Sequence, residues 1–197
     1  TPVIYYETGV SLLESLRDVS FQVVSTITTT GYASADFTTW GSLATFIFFL
    51  LLFSGASAGS TSGGIKIVRI VILIKNGFLE FKKRLHPNAV IPVYLNKKAI
   101  PSQIIYNLLA FIFLYLFVFV VGSVIMTALG ESFEVAISSV ATCLGNVGPG
   151  IAEIGPSHTF SSISPAGKWL LSFLMLFGRL ELFTVALLFT PYYWRRN

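Results

Sequence analysis

Two short segments of the chain have the residue types needed to surround a dehydrated cation. Thr28-Thr-Thr-Gly-Tyr32 follows an amphipathic stretch, and Thr142-Cys-Leu-Gly-Asn146 follows another, 114 residues later. Glycine reaches unusual φ and ψ values at little steric cost, which lets successive carbonyl oxygens point towards one axis and replace the water around an ion. The predicted ion-binding residues are Thr29, Thr30, Gly31, Tyr32, Cys143, Leu144, Gly145 and Asn146.

The two segments keep the same distance from a later basic residue. Lys66 comes 35 residues after Gly31, and Arg179 comes 34 residues after Gly145, each in a long apolar stretch. A glycine-rich turn between helix ends would explain one segment alone. Repetition of the whole unit favours an ion filter that is built twice.

A short helix is predicted before each segment, at residues 11–26 and 131–141. Ser11 and Glu14 have the spacing of a capping box, and an apolar stripe follows them. Both helices are too short to cross a bilayer, which needs about 20 residues. We expect re-entrant helices whose C-terminal partial negative charge favours a cation at the filter.

Eleven consecutive small residues, Ser54 to Gly64, interrupt an apolar stretch. A membrane helix that breaks in mid-bilayer must line water or be buried in protein. We therefore predict a flexible constriction below the filter, with the gating residues Ser54, Gly55, Gly59, Gly63 and Gly64. The alternative is helix packing, because the four-residue spacing of these glycines is a close-packing pattern for membrane helices.

Arg179 lies within the apolar stretch from Trp169 to Trp194. An arginine in mid-bilayer costs about 2.5 kcal/mol or more, so we expect it to face the pore or a partner. There it would repel cations and donate hydrogen bonds to the small-residue loop, as a barrier that opens when the loop moves. A buried structural ion pair is the alternative, although Glu181 is poorly placed for one on the helix wheel. Lys66 is expected to reach the cytoplasmic interface.

The composition is that of an integral membrane protein. Hydrophobic residues make up 54% of the chain and charged residues only 11%, against about 25% charged in a soluble domain. No charged residue occurs from Ala99 to Gly130. A single cysteine, Cys143, excludes an internal disulfide and a cysteine metal cluster. The sequence has no His or carboxylate pair beside a nucleophile, so it does not indicate an enzyme. It also has no Gly-Lys-Ser/Thr sequence of a nucleotide-binding loop, and nothing in it indicates a nucleic-acid partner.

The distribution of charge predicts an orientation. Eight of the nine charged residues between Lys66 and Lys98 are basic, and Arg195 and Arg196 close the chain. By the positive-inside rule the loop 82–98 and the C-terminus are cytoplasmic, while the acidic segments 1–40 and 130–168 are outside. The basic loop is explained by topology and anionic lipid, or else by docking of a cytoplasmic partner.

These elements predict an all-α membrane protein with two repeats of a four-repeat channel-like pore. The third repeat would occupy 1–81, with pore helix 11–26, filter 27–34 and broken inner helix 40–81 around the loop 54–64. The fourth would occupy 99–197, after the basic loop 82–98, with outer helix 99–129, pore helix 131–141, filter 142–148 and inner helix 165–194. The chain begins Thr1-Pro2, so we expect a fragment whose N-terminal half is missing.

Four stretches together resemble the Trk/Ktr/HKT superfamily of potassium transporters, and most closely the membrane subunit of the bacterial Trk system. They are Thr28-Thr-Thr-Gly-Tyr-Ala-Ser34, Ser54-Gly-Ala-Ser-Ala-Gly-Ser-Thr-Ser-Gly-Gly-Ile-Lys66, Gly145-Asn-Val-Gly-Pro-Gly150 and Phe177-Gly-Arg-Leu-Glu181. The resemblance implies K⁺ uptake across the bacterial inner membrane, with K⁺ held by backbone carbonyls and no cofactor.

The resemblance also implies a homodimer with one pore per protomer and a cytoplasmic ring partner that binds nucleotides and controls the gate. Ser54–Gly64 and Arg179 would gate conduction. The first two repeats are absent, so the chain alone is not expected to conduct. The alternative function is an alternating-access transporter that couples K⁺ to Na⁺ or H⁺, because broken helices also suit that mechanism.

Overall fold

The structure, a computed structural model, describes residues 11–85 and 91–180 of the 197-residue chain. This part of the chain is a bundle of six α-helices. In chain order they are α1 Leu12–Ile27, α2 Ser42–Leu51, α3 Ile67–Leu85, α4 Ser102–Ala128, α5 Phe133–Gly145 and α6 Pro165–Arg179. Short 3₁₀ turns at Phe37–Trp40, Ala152–Ile154 and Phe160–Ser162 lie in the connections.

Two small sheets add to the helices predicted from sequence. The strands are β1 Ser54–Gly55, β2 Ile65–Lys66, β3 Val93–Leu95 and β4 Lys98–Ile100. β1 and β2 are parallel, and β3 and β4 form an antiparallel hairpin. Asn96 and Lys97 connect the hairpin with positive φ at both positions, as a two-residue hairpin turn requires.

The first helix begins where the capping pattern indicates. The Ser11 side chain accepts a hydrogen bond from the Glu14 backbone N–H at 3.4 Å, and its hydroxyl donates to the Glu14 carboxylate at 2.8 Å. These bonds satisfy groups that a free helix end would leave unpaired. α1 then ends at Ile27, directly before the segment that contains Thr28 and Gly31.

α4 is the one helix in the described ranges that is long and apolar enough to cross a membrane. Its 27 residues extend about 40 Å at 1.5 Å per residue. Pro101 precedes it at the N-cap, where a missing N–H removes no helical bond. Most of its apolar side chains are exposed, and only 28% of its most apolar window is buried within the chain.

The apolar stretch around Ser54–Gly64 is broken, and the glycines in the break do not lie on a helix. α2 ends at Leu51 and α3 begins at Ile67, with β1 and β2 pairing at the two ends of the loop. A Cβ on Gly55 would overlap the carbonyl oxygen of Gly63. Gly63 in turn packs on the end of α5, while Gly59 has open space at its Cβ position. The three glycines therefore do not share one face of a helix, and the helix-packing alternative is wrong.

Several element boundaries differ from the sequence predictions. α3 continues to Leu85, so the basic residues of 82–84 lie on a helix and not in a loop. The hairpin occupies 93–100, and the outer helix therefore begins at Ser102 instead of 99. α5 runs one turn past 141, to Gly145. The predicted inner helix 165–194 is described as far as Arg179, and Glu181 and the remaining part lie outside the described residues.

The core is built around α5. Its residues from Val135 to Gly145 are buried, apart from the half-buried Ile137. Met126 of α4 and Leu174 of α6 pack on it, in a cluster that also contains Val140 and Cys143. A helix surrounded in this way cannot shift without moving its neighbours, because protein interiors are close-packed. α5 therefore holds the segment that follows it in a fixed place.

Candidate ion-conduction site

The two predicted filter segments lie against each other. Gly31 has φ +79°, and a Cβ built on it would overlap the carbonyl oxygen of Val147. Gly148 has φ +115°, and its Cβ position would be 3.8 Å from the α-carbon of Gly31. Only glycine can occupy position 31, because a side chain would strain the positive φ and overlap the neighbouring carbonyl oxygen. Residues 117 positions apart thus meet at one point.

The backbones of the two segments follow the same path. Thr29 and Asn146 both have left-handed φ, at 54° and 56°. The N–H of Thr29 donates to Thr26 O, and that of Asn146 donates to Cys143 O, each at 3.1 Å. These pairs share an offset of 117 residues. Structurally equivalent residues of the two segments are therefore 117 positions apart, and not 114 as the sequence comparison suggests.

A buried hydroxyl anchors each segment from the last turns of its helix. Ser25 Oγ donates to the carbonyl oxygen of Tyr32 at 2.6 Å. Thr142 Oγ1 donates to that of Pro149 at 2.9 Å and accepts from the Gly148 N–H at 3.0 Å. These donors hold the carbonyl just beyond each glycine, so the geometry of the turn does not depend on solvent.

Three of the predicted ion-binding residues belong to a helix. Cys143, Leu144 and Gly145 lie in the last turn of α5, so the predicted filter boundary at 142 is wrong. The carbonyl oxygens of Leu144 and Gly145 lie against Gly178 and Gly63, where a Cβ would overlap each of them.

The predicted filter 142–148 contains Val147 and Gly148, which contact the other segment, but the predicted ion-binding residues do not include them. A usable signal was present. The hydroxyl residues Ser25 and Thr142 each stand six residues before a glycine, Gly31 and Gly148. Asn146 is also a residue type that tolerates left-handed φ at a helix end, and the Pro149 that follows cannot continue a helix.

Lys66 binds the small-residue loop. Its Nζ donates to the carbonyl oxygens of Ser60 and Ser62, at 2.7 and 2.5 Å, and contacts both hydroxyls at 3.1–3.2 Å. The side chain therefore folds onto the loop and does not extend away from it, while the expected position of Lys66 at the cytoplasmic interface stays a prediction. The ammonium group instead shapes the loop 54–64 from within, because its donors satisfy backbone oxygens that the break leaves without helical partners.

Arg179 and the same loop line one cavity of about 80 Å³. Arg179 is the last residue of α6 and is exposed. Its neighbours around the cavity include Ser60, Ser62 and Lys66. Arg69 also lines it, and its guanidinium stands 4.1 Å above the ring centre of Phe111. The structure thus brings Arg179 and the loop together, with further positive charge beside them.

A wider cavity, of about 350 Å³, adjoins the glycines of the two segments. Gly31 and Gly148 line it together with Tyr32, Pro149 and His158. Tyr32 is 73% exposed. The cavity is therefore an open vestibule that leads to the contact between the two segments.

Asp36 organises the connection beside this vestibule. Its carboxylate accepts hydrogen bonds from the N–H and hydroxyl of Thr38 at 2.9 and 2.6 Å. Burial raises the pKa of Asp36, but the hydrogen bonds from Thr38 and Ser157, with the charge of His158, outweigh it and leave the pKa below its ordinary value. The carboxylate is thus a charged link between the loops that follow the two segments.

Short helices ending at paired glycine turns, a broken helix and a long apolar span define a helical membrane transporter. Known proteins agree. The chain is 39% identical to the Trk system potassium uptake protein TrkH of Halomonas elongata and 40% to that of Salmonella typhimurium, over 97% and 94% of its length and 38% of each relative. The crystal structure of the potassium transporter TrkH from Vibrio parahaemolyticus superposes with TM-score 0.88 at 35% identity, over 98% of this chain and 40% of that one.

The chain belongs to the TrkH family of cation transport proteins, whose family model matches residues 8–196. It spans about two fifths of the length of the relatives named above. Those relatives are named as transporters and not as enzymes, in agreement with the sequence prediction.

Proposed function

We propose that this chain supplies half of a K⁺-selective filter and its gate in a potassium uptake protein. The observation that carries the proposal is the contact of Gly31 with Val147 and Gly148, two turns that share backbone angles and buried anchors. Two equivalent turns that meet at one point present carbonyl oxygens to a common axis, as dehydration of K⁺ requires. The names of the relatives support K⁺ as the transported ion.

The backbone oxygens proposed to bind K⁺ are those of the matched turns. They are Thr29, Thr30 and Gly31 in one segment and Asn146, Val147 and Gly148 in the other. Tyr32 and its counterpart Pro149 close the turns, with their oxygens held by hydroxyls. Oxygens for a complete ring come from a part of the protein outside this chain.

The proposed gate is the loop 54–64 with Arg179. The guanidinium of Arg179 repels a cation that leaves the filter, and Arg179 lines the same cavity as Ser60 and Ser62. Lys66 adds charge to the same barrier while it holds the loop. A shift of the loop would carry these charges away from the conduction path and lower the electrostatic barrier.

The surroundings that the resemblance implies are part of the same proposal. They are a homodimer in the bacterial inner membrane, a cytoplasmic nucleotide-binding ring, and cytoplasmic placement of the basic residues at 82–98 and of the C-terminus. The positive charges of Lys82, Lys83 and Arg84 at the end of α3 support this orientation.

The test is Rb⁺ uptake and single-channel recording with the full-length gene product in proteoliposomes. Unitary currents with a reversal potential that follows the K⁺ gradient are the expected result. A fixed K⁺ to Na⁺ or H⁺ stoichiometry per cycle would favour the alternating-access alternative. Absence of any K⁺-dependent flux in correctly folded protein would overturn both.

A further inference from the structure

The side chain of Asn146 joins three elements of the proposed site. Asn146 caps α5 in a left-handed conformation, and its Nδ2 donates to the carbonyl oxygen of Met175 in α6 at 3.2 Å. A Cβ on Gly63 would come within 2.9 Å of the same nitrogen, and one on Gly178 within 2.6 Å. One amide therefore touches the filter turn, the end of the loop and the inner helix.

The backbone around Asn146 packs with the same closeness. The Gly145 carbonyl oxygen lies against Gly63, and the Leu144 carbonyl oxygen lies against Gly178. The carbonyl oxygen of Leu52, at the end of α2, lies against Gly145 in turn. The loop cannot move at Gly63 without changing its contacts with Gly145 O and Asn146 Nδ2, because no side chain stands between the backbones to absorb a shift.

The other turn is built differently. Thr29 matches Asn146 in backbone conformation, but its neighbourhood is set by Thr28 and Thr30, whose hydroxyls bond each other at 2.7 Å. The side chain of Asn146 instead donates a hydrogen bond to α6, 29 residues away along the chain. The two filter turns thus share a path but differ in their connection to the gate.

We propose that Asn146 is a positioning residue that transmits movement of the loop 54–64 to the filter turn 146–148. The inference rests on the proposed function and adds to it that movement of the gate changes the filter. When the loop shifts at Gly63, the amide of Asn146 loses its fixed place against α6. The carbonyl oxygens of Asn146 and Val147 then rotate, so opening of the gate also changes ion selectivity.

The experiment is a double-mutant cycle in the full-length gene product, with the K⁺ to Na⁺ permeability ratio and the basal flux as readouts. Lys66→Met loosens the loop by removing its internal ammonium. Asn146→Gly removes the amide and keeps the left-handed backbone without strain. Asn146→Asp keeps the size and removes the Nδ2 donor to Met175.

The expected result is that Lys66→Met raises basal flux in every background but changes the permeability ratio only when Asn146 is intact. The non-additivity should be about threefold or more. Thr29→Gly is the matched control, since it relaxes the equivalent left-handed residue without touching the loop. In that background the effect of Lys66→Met on the ratio should persist.

Two results would overturn the coupling role while leaving the filter and gate in place. One is an unchanged permeability ratio in Lys66→Met alone. The other is an equal change in the Asn146→Gly, Asn146→Asp and unmodified backgrounds. Loss of all K⁺ selectivity in the unmodified protein would instead contradict the proposed function itself.

Discussion

The carbonyl oxygen of Val147 occupies the space that a side chain on Gly31 would need. Two chain segments more than a hundred residues apart are therefore fitted together at backbone distance. A contact of this kind tolerates no substitution that adds an atom, and it makes the two turns a single unit.

Gly31→Ala should abolish or strongly weaken K⁺ over Na⁺ discrimination. The new Cβ would overlap Val147 O and force φ +79° on a residue that disfavours it. Reversal potentials of the full-length protein measure the effect. Gly130→Ala is the control, because Gly130 has φ +95° and open space around its Cβ position. Equal permeability ratios in both variants would contradict the assignment of Gly31.

Thr142→Val should change K⁺ conduction and lower the stability of the protein. Thr142→Ser should leave both close to those of the unmodified protein. Valine keeps the shape but removes the donor to Pro149 O and the acceptor for the Gly148 N–H, in a residue that is fully buried. The groups left without this partner belong to the half-buried Pro149 and the exposed Gly148, so the expected loss is that of ordinary hydrogen bonds, about 0.5–1.5 kcal/mol each. Thermal unfolding in detergent and K⁺ flux are the measurements, and a valine variant that behaves like the serine variant would refute the anchoring role.

Gly178→Ala should disturb assembly or gating severely. A Cβ there would overlap the carbonyl oxygen of Leu144, which is buried backbone and cannot move aside. Gly77→Ala is the comparison, since Gly77 lies in α3 with nothing within 4 Å of its Cβ position. There alanine should be neutral or stabilising, by at most about 1 kcal/mol. Folded yield and flux distinguish the two, and a harmless Gly178→Ala would contradict the close packing.

Arg179→Ala should raise basal flux, since it removes the positive charge beside the loop. Arg179→Lys keeps the charge and should leave the protein closed. Flux without activating partner, compared at equal amounts of folded protein, is the measurement. A fall to zero flux in folded Arg179→Ala would contradict a barrier and favour the structural ion pair.

Asp36 should make stability depend on acid pH. Because its pKa is lowered in the folded state, the charged form stabilises the protein above the ordinary value of 3.8, and this contribution is lost as pH falls through the lower pKa. As the pH falls below about 5, the thermal unfolding temperature of the unmodified protein should therefore drop more steeply than that of Asp36→Asn. Parallel pH profiles would argue against the carboxylate link.

Much of the architecture follows from local pattern. The capping box at Ser11, the uncharged span in α4 and the break at Ser54 are visible in the sequence, because each depends on neighbouring residues. The sequence predicts the end of the second short helix at 141, one turn too early. Helix α5 instead extends through Gly145, which packs on Leu52 O, and such tertiary contact overrides local propensity.

The placement of Lys66 could not be predicted either. Its position after the small-residue loop suggested a side chain that extends towards water. The loop folds back so that the carbonyls of Ser60 and Ser62 surround the ammonium. That arrangement depends on the conformation of a loop with no regular repeat, and no spacing rule describes it.

The pairing of β1 with β2 fixes both ends of the break. Ser54 is opposite Ile65 and Gly55 is opposite Lys66, so α2 and α3 stay joined whatever residues 56–64 do. A short loop with tethered ends samples few shapes, and rearranging it carries a small entropic cost. If residues 56–64 rearrange as the proposed gate requires, the anchor points of the preceding and following helices therefore keep their spacing.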